Sequence, residues 1–314
     1  MFKAPPEIGT EVFARIPDLY RKSGQLSQER ILAGKGNLKT DSYIEGPSFD
    51  QDGNLYIVDI AFGLIYKVDP QGIVKLITEY DGEPNGLKIH RDGRIFVADH
   101  KNGLMLLDSK SGNIKPFIGR YKTESFKGLN DLVFSKNGNL YFTDQGQSGL
   151  HDPSGKVFCL DATGKLNCLI NNVPSPNGIA LNKEENLLYI AATRANCVWR
   201  AMLLPDGSIT RVGNFIQLSG GAGPDGLAVD QEGNIYVAHA GLGVVWKFSS
   251  HGEPLLRINS CAGHMTTNLA FGGKDNRDLF ITESETGSIL RVRMDTPGLT
   301  LFSHQWHDNA KKLH

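Results

Sequence analysis

One pattern recurs six times along this chain, and few folds can accommodate it. The clearest copy runs Gly223-Pro224-Asp225-Gly226-Leu227-Ala228-Val229-Asp230-Gln231-Glu232-Gly233-Asn234-Ile235-Tyr236-Val237-Ala238-His239. A polar residue after Pro or Gly opens a short apolar run, a Gly/Asn turn follows, and a second run brings in an aromatic residue. Short apolar runs bounded by turn residues read as paired strands. The aromatics Tyr56, Phe96, Tyr141, Tyr189, Tyr236 and Phe280 mark the copies, at spacings of 40, 45, 48, 47 and 44 residues. Each hairpin precedes two further candidate strands, such as Gly243–Phe248 and Pro254–Ile258. Four strands per unit at this period predict an all-β chain folded as a closed six-bladed β-propeller of antiparallel blades. No long stretch shows helical periodicity.

Six repeats around one axis use the available length of 314 residues, so the chain is read as one domain over 1–314. The strand Glu11–Ile16 precedes the first blade and is a candidate to complete the last one; Leu299–Phe302 is the alternative. Either would remove an exposed sheet edge. Between Asp18 and Asp41 lies a polar, glycine-containing insertion, residues 19–40, which leads directly into the first blade. A loop this long inside a compact unit is usually functional or disordered. It is read as a flap over the channel mouth.

The first strand of every propeller blade lines the central channel. Those strands begin at Glu45, Asn85, Asn130, Asn177, Asp225 and Asn268, all carboxylate or carboxamide residues. An Asp or Asn before Gly is ordinarily turn chemistry; at equivalent points of six repeats, such residues converge on one axis. Burying Glu45 and Asp225 together is costly without a counter-charge, and no Lys or Arg holds an equivalent position. A divalent cation removes the difficulty. The proposed ligands Glu45, Asn130, Asn177 and Asp225 offer only oxygen, which suits Ca²⁺ best and then Mn²⁺ or Mg²⁺. The absence of Cys and His from the ring argues against structural zinc, with catalytic Zn²⁺ left open.

The connections leaving the second strands fall on the same face and carry Asp59, Asp99-His100, Asp144-Gln145-Gly146-Gln147, Thr193-Arg194, His239 and Glu283-Ser284-Glu285. Of these, His100, Gln145, Arg194 and His239, with Asn85 and Asn268 of the ring, are the expected substrate contacts. Asp131 is expected to orient Asn130 or neighbouring backbone.

Glu45-Gly46-Pro47, Leu129-Asn130-Asp131, Pro176-Asn177-Gly178-Ile179-Ala180 and Pro224-Asp225-Gly226-Leu227 together resemble the signature of the regucalcin (senescence marker protein)/gluconolactonase family. The similarity spans about residues 40–293, and Phe142-Thr143-Asp144 before a Gly-rich loop is similar to a further motif of the group. The resemblance implies one catalytic cation in the channel mouth, held by Glu45, Asn177 and Asp225 with Asn130 as ligand or one water removed. It also implies hydrolysis of sugar lactones or related esters, with Asp225 as base or nucleophile. A more distant resemblance runs to diisopropyl-fluorophosphatases, which carry a His where this chain has Ala270.

The expected activity is therefore a metal-dependent lactonase. The rivals are a phosphotriesterase or fluorophosphatase, a propeller lyase on the same metal site, and a non-enzymatic binding propeller. With 33 basic and 34 acidic residues, nothing draws in nucleic acid. The amino terminus lacks a signal-type apolar segment and no run approaches a membrane span, so a soluble cytoplasmic protein is expected. Cys159 and Cys168 flank a turn and could pair across strands, but in that compartment reduced thiols are expected for all four cysteines.

Overall fold

The computed structural model describes residues 3–32 and 34–304. Six four-stranded antiparallel sheets stand around a common axis. Their inner strands are Ile44–Phe49, Pro84–Ile89, Leu129–Phe134, Pro176–Leu181, Gly223–Val229 and Thr266–Gly272. Each inner strand lies beside the next, and the last lies beside the first, which closes the ring. All six marker aromatics sit in second strands, opposite Ser48, Lys88, Val133, Ala180, Ala228 and Ala270 of the inner ones. Apolar side chains of adjacent blades interdigitate between the sheets, as in the cluster joining Tyr56, Val58 and Ile65 to Leu87, Val97 and Met105. The core is thus a set of wedges between blades rather than one central core.

The ring is fastened by Glu11–Arg15, which pairs antiparallel with Ser288–Arg293 as the outer strand of blade six. A short preceding strand, Glu7–Gly9, adds in parallel to Pro254–Asn259 of blade five. The alternative closing segment is not a strand. Leu299 N–H donates to Val229 O and Ser303 Oγ to Phe49 O, so residues 299–303 run across the far end of the channel from blade five to blade one. Phe302 stacks on Phe134 beneath the axis.

The 19–40 insertion contains one short helix, Gln28–Leu32, and is pinned to the first two blades. Arg30 donates to Ala61 O (2.5 Å) and Gly82 O (2.9 Å). Lys35 Nζ lies 3.8 Å from Glu83 Oε2. No described helix is long and apolar enough to cross a membrane. The four cysteines are unpaired. Cys159 faces Asn167 and Cys168 faces Phe158 across the same strand pair, so the two sulfurs project from opposite faces of the sheet and cannot join.

What lets the six inner strands meet so closely is the residue two positions before each aromatic's partner. In four blades it is glycine. A Cβ on Gly178 would sit 2.2 Å from Asp225 O, and one on Gly46 would sit 2.5 Å from Asn85 O. Backbone cannot give way to that extent without opening the ring. Gly178→Ala should therefore destabilise by about 1–3 kcal/mol or more through overpacking. Gly213→Ala, where no atom lies within 4 Å of the added methyl, should stay within about 0.5 kcal/mol of wild type. Urea unfolding of the two variants checks this, and equal stability would remove close approach as the reason for Gly178.

Candidate active site

The inner strands bring the predicted residues to one mouth of the channel. Glu45, Asn85, Asn130, Asn177, Asp225 and Asn268 are all buried, between 2 and 8 % exposed, although all six are charged or amide residues and four of them are flanked by turn-forming Pro or Gly. Strand pairing corrects one placement. Ile44, Pro84, Leu129 and Thr266 face Asp59, Asp99, Asp144 and Glu283, so the residue equivalent to Glu45, Asn85 and Asn130 in blade six is Thr267. Asn268 stands one residue further on, at the position of Gly46, Gly86, Gly178 and Gly226, and Asp131 does so in blade three. The ring is thus five carboxylate or carboxamide residues and a threonine. The slip arose because the sixth copy lacks the Pro-Asn-Gly or Pro-Asp-Gly frame.

Asp131 and Asn268, from opposite blades, reach each other across the axis. Asn268 Nδ2 donates to Glu45 Oε2 (2.9 Å) and lies 3.4 Å from Asp131 Oδ2. Both side chains also accept the next backbone amide, Leu132 N at 2.8 Å from Asp131 Oδ1 and Leu269 N at 2.8 Å from Asn268 Oδ1. Asp131 thereby serves neighbouring backbone, as expected. Asn268 positions Glu45 and is not presented to the mouth. Below this bridge Lys88 Nζ lies 3.8 Å from Asp131 Oδ1, a counter-charge that the alignment of ring positions did not show, because Lys88 enters the channel three residues after Asn85.

Among the described residues Glu45 and Asp225 have no cation within ion-pair distance. Glu45 Oε2 accepts Gly46 N and Asn268 Nδ2. Asp225 is bonded by Asn177, yet its Oδ1 is buried without any hydrogen-bond partner. Burial raises both carboxyls above the ordinary range, and for Asp225 the charges of Glu45 and Asp131 add to it. Asn130 donates Nδ2 to Gln145 Oε1 (3.1 Å), and Gln145 Nε2 donates to Ser175 Oγ (3.0 Å), which turns the Asn130 carbonyl oxygen away from Gln145. An orphaned buried carboxylate oxygen beside a second carboxylate and two carboxamides fits a hard divalent cation. Among the described residues no three His, Cys, Asp or Glu side chains form a metal cluster, so such an ion would depend on the carboxamide oxygens as well.

Above the ring opens a cavity of about 590 Å³, lined by Lys35, His100, Gln145, Ser175 and Arg194 among others. His100, Gln145 and Arg194 are therefore on its wall. His100 has no partner for its buried Nδ1, and burial, then the neighbouring Lys35 ammonium, push its pKa down to about 3. It is a neutral imidazole. His239 is placed differently: it is 1 % exposed, Trp246 Nε1–H donates to its Nδ1 (3.2 Å), and its Nε2 faces Gly220 O (3.0 Å). It holds in blade five the strand-end position of Asp59, Asp99, Asp144 and Glu283. Those acids tie down adjacent turns, as Asp144 does by accepting Lys127 N and Gly128 N. His239 as a substrate contact is withdrawn, since both ring nitrogens serve the fold. Tyr43, two residues before Glu45, was not picked out by the repeat. Burial and then the charges of Asp225 and Glu45 raise its phenol well above the ordinary range, which places a neutral O–H donor beside the two carboxylates.

A six-bladed propeller with an oxygen-donor ring at one mouth defines the class of protein. Comparison with known proteins narrows it: residues 44–285 match the model of the SMP-30/gluconolactonase/LRE-like region, and the chain belongs to that family. It is 34 % identical over 237 residues to lactonase drp35 of Staphylococcus aureus, covering 71 % of this chain and 72 % of that one. Regucalcin from Agrobacterium tumefaciens, described as a calcium-binding protein, superposes with a TM-score of 0.77 at 20 % identity, over 96 % of this chain and 100 % of that one. A gluconolactonase from Xanthomonas campestris gives a TM-score of 0.70 at 22 % identity, over 82 % and 86 %. At these identities the two structures bear on the fold alone.

The raised carboxyls make a pH test possible. In the ion-free protein the folded state holds protons that the unfolded chain has released, so their contribution to stability falls as pH rises from about 4, the unfolded carboxylate range, through the raised folded values. A cation needs Glu45 and Asp225 ionised, so stabilisation by it grows across the same window. The rise in melting temperature produced by saturating Ca²⁺ or Mn²⁺ should be larger at pH 8 than at pH 5. Scanning calorimetry with and without chelator measures the difference, and an equal or larger rise at pH 5 would mean the ion does not bind these carboxylates.

Proposed function

We propose that the protein is a metal-dependent lactonase that opens a sugar lactone or related cyclic ester. The observation that carries this reading is the unpartnered buried Oδ1 of Asp225 beside Glu45, in a ring joined to an open cavity through Gln145, which lines the cavity and accepts from Asn130. Membership of the family and the likeness to lactonase drp35 support the class of reaction. Glu45, Asn130, Asn177 and Asp225 would hold the ion, with Ca²⁺ the preferred occupant and Mn²⁺, Mg²⁺ or Zn²⁺ as alternatives. When bound, a divalent cation supplies Lewis-acid polarisation of the lactone carbonyl and neutralises charge that develops on its oxygen.

The remaining work falls to side chains. Asp225 is placed to accept a proton from water attacking the carbonyl carbon, as a general base. Direct attack by its carboxylate to give an acyl-enzyme is the second route. Gln145, fixed between Asn130 and Ser175, keeps the Asn130 amide in one orientation. Arg194 and His100 line the space where the rest of the substrate must lie. Ala270 is only 6 % exposed and packs into the core of blade six, so the chain lacks the side chain that a fluorophosphatase-like site has there. The unpaired cysteines support a reducing compartment such as the cytoplasm.

Asp225 has two tasks, and substitution separates them. Asp225→Asn keeps one oxygen toward an ion and should retain metal somewhat more weakly while losing about 10²–10⁴ in kcat, the usual worth of a general base. Asn177→Ala should lose mainly metal affinity and be partly rescued by excess ion. Turnover by metal-loaded Asp225→Asn close to wild type would reduce Asp225 to a ligand.

We further propose that the 19–40 segment is a flap, because Gly34 and Lys35 contribute to the cavity wall. Replacing it with a short linker should change KM or the range of lactones accepted, with metal affinity nearly intact. Unchanged kinetics on every lactone tried would leave it a passive surface loop.

A further inference from the structure

The cavity above the ring has a charge pattern that the hydrolysis of a neutral lactone does not require. Among its described lining residues there is no Asp or Glu, while Lys35 and Arg194 both face it, with His100 and His151 between them. The two cations differ in what already satisfies them. Lys35 is buried and set against Glu83 at 3.8 Å, and burial lowers its pKa to about 8. Arg194 is exposed, and its guanidinium makes no hydrogen bond or salt bridge among the described residues.

Arg194 is also firmly rooted. It sits in the 3-10 turn Thr193–Ala195, which Asn196 closes in the left-handed region at φ 51°. Thr193 Oγ1 bonds Pro224 O (2.7 Å), so the turn is tied to the residue preceding Asp225. The stem of Arg194 runs past Gly149, whose added Cβ would lie 3.8 Å from Arg194 Cγ. Arg194 is therefore an exposed fork of donors, unpaired among the described residues, on a turn tied to the strand that carries Asp225.

A divalent ion would balance Glu45 and Asp225, and Lys88 faces Asp131. With those carboxylates balanced and Lys35 set against Glu83, Arg194 is the wall cation left without a partner among the described residues. Guanidinium groups bind carboxylate and phosphate oxygens in pairs, more strongly than they bind neutral hydroxyls. We infer that the substrate is an acidic lactone, carrying a carboxylate or phosphate away from the ester, and that Arg194 binds this second group. The inference rests on the lactonase reading and narrows it to a substrate class. It also accounts for the lack of acids on the wall, since one carboxylate there would repel the substrate and capture Arg194.

The test uses lactones matched except for charge: glucono-1,4-lactone (neutral), glucaro-1,4-lactone (carboxylate) and 6-phosphoglucono-1,5-lactone (phosphate) with its neutral 1,5-counterpart. For the metal-loaded full chain at low ionic strength, kcat/KM for at least one acidic lactone should exceed that for its neutral match by about ten-fold or more, and the excess should shrink with added salt. Whichever acidic lactone shows the excess identifies the group bound. Arg194→Gln should cut the acidic-to-neutral ratio by about ten-fold, Arg194→Glu should take it below one, and Arg194→Lys should keep part of it. A ratio near one in wild type, or a ratio indifferent to these substitutions while neutral lactone is hydrolysed, overturns the inference and leaves the lactonase reading standing. If no lactone is turned over with any of the four metals, the lactonase reading falls, and thermal-shift titration decides the anion subsite. Stabilisation of wild type but not of Arg194→Gln by an acidic lactone sustains it; no stabilisation by either acidic lactone overturns it.

Discussion

Everything at the centre of this molecule depends on how closely six inner strands can approach one axis. Gly46, Gly86, Gly178 and Gly226 let backbone touch backbone, as shown by the 2.6 Å at which a Cβ on Gly86 would meet Asn130 O. Where glycine is replaced, by Asp131 and Asn268, the side chains occupy the axis itself and meet across it. The two exceptions lie on opposite blades, so a single bridge closes the channel beneath the mouth. The residue before each of these positions is the one delivered to the ring. The repeat thus does two jobs with adjacent residues, one for approach and one for chemistry.

Approach creates an electrostatic problem that the fold only partly solves. Three carboxylates, Glu45, Asp131 and Asp225, end within one buried neighbourhood. Asp131 has backbone, an amide and the Lys88 ammonium nearby. Glu45 has two donors on Oε2 and a further hydrogen bond from the Thr267 side chain, whereas Asp225 keeps an oxygen with none. Leaving a buried acceptor unsatisfied costs about 1–3 kcal/mol, more when it is charged. A purely architectural propeller would gain by replacing Asp225 with an apolar or amide residue. Its presence is best understood if something absent from the polypeptide completes it, and this is why a non-enzymatic binding scaffold accounts poorly for the ring.

The sequence made the blade count, the marker aromatics and five of the six ring residues legible because each depends on local turn chemistry repeated at a fixed spacing. Blade six lacks that chemistry, so the sequence points to Asn268 where the register with Glu283 puts Thr267 in the ring. The closing strand Glu11–Arg15 could be proposed but not chosen over Leu299–Phe302, since both are short apolar runs and only the register with Ser288–Arg293 separates them. His239 followed a strand as His100 did, yet Trp246 and Gly220 satisfy its nitrogens; that outcome turns on contacts 7 and 19 residues away. Lys88 and Tyr43 were missed because neither stands at the repeated position. Their roles arise from reach along and across the axis, which spacing does not encode.

The two ends of the channel are built to different chemistries, and the Asp131–Asn268 bridge divides them. The far end holds a chamber of about 310 Å³ walled mainly by residues such as Ile89, Phe134, Leu181, Val229 and Phe271, with the 299–303 segment across it. The near end has Lys35, His100 and Arg194 on its wall, with Gln145 joining that wall to Asn130 of the oxygen ring. An ion at the ring can therefore be approached by a polar substrate from one side only. Asn268 also bears on how Glu45 would meet an ion, because its Nδ2 occupies Oε2. Asn268 thus both helps to plug the channel and holds the Glu45 carboxylate, so the direction of approach and the geometry of the site follow from the two replacements of glycine in the repeat, Asp131 and Asn268.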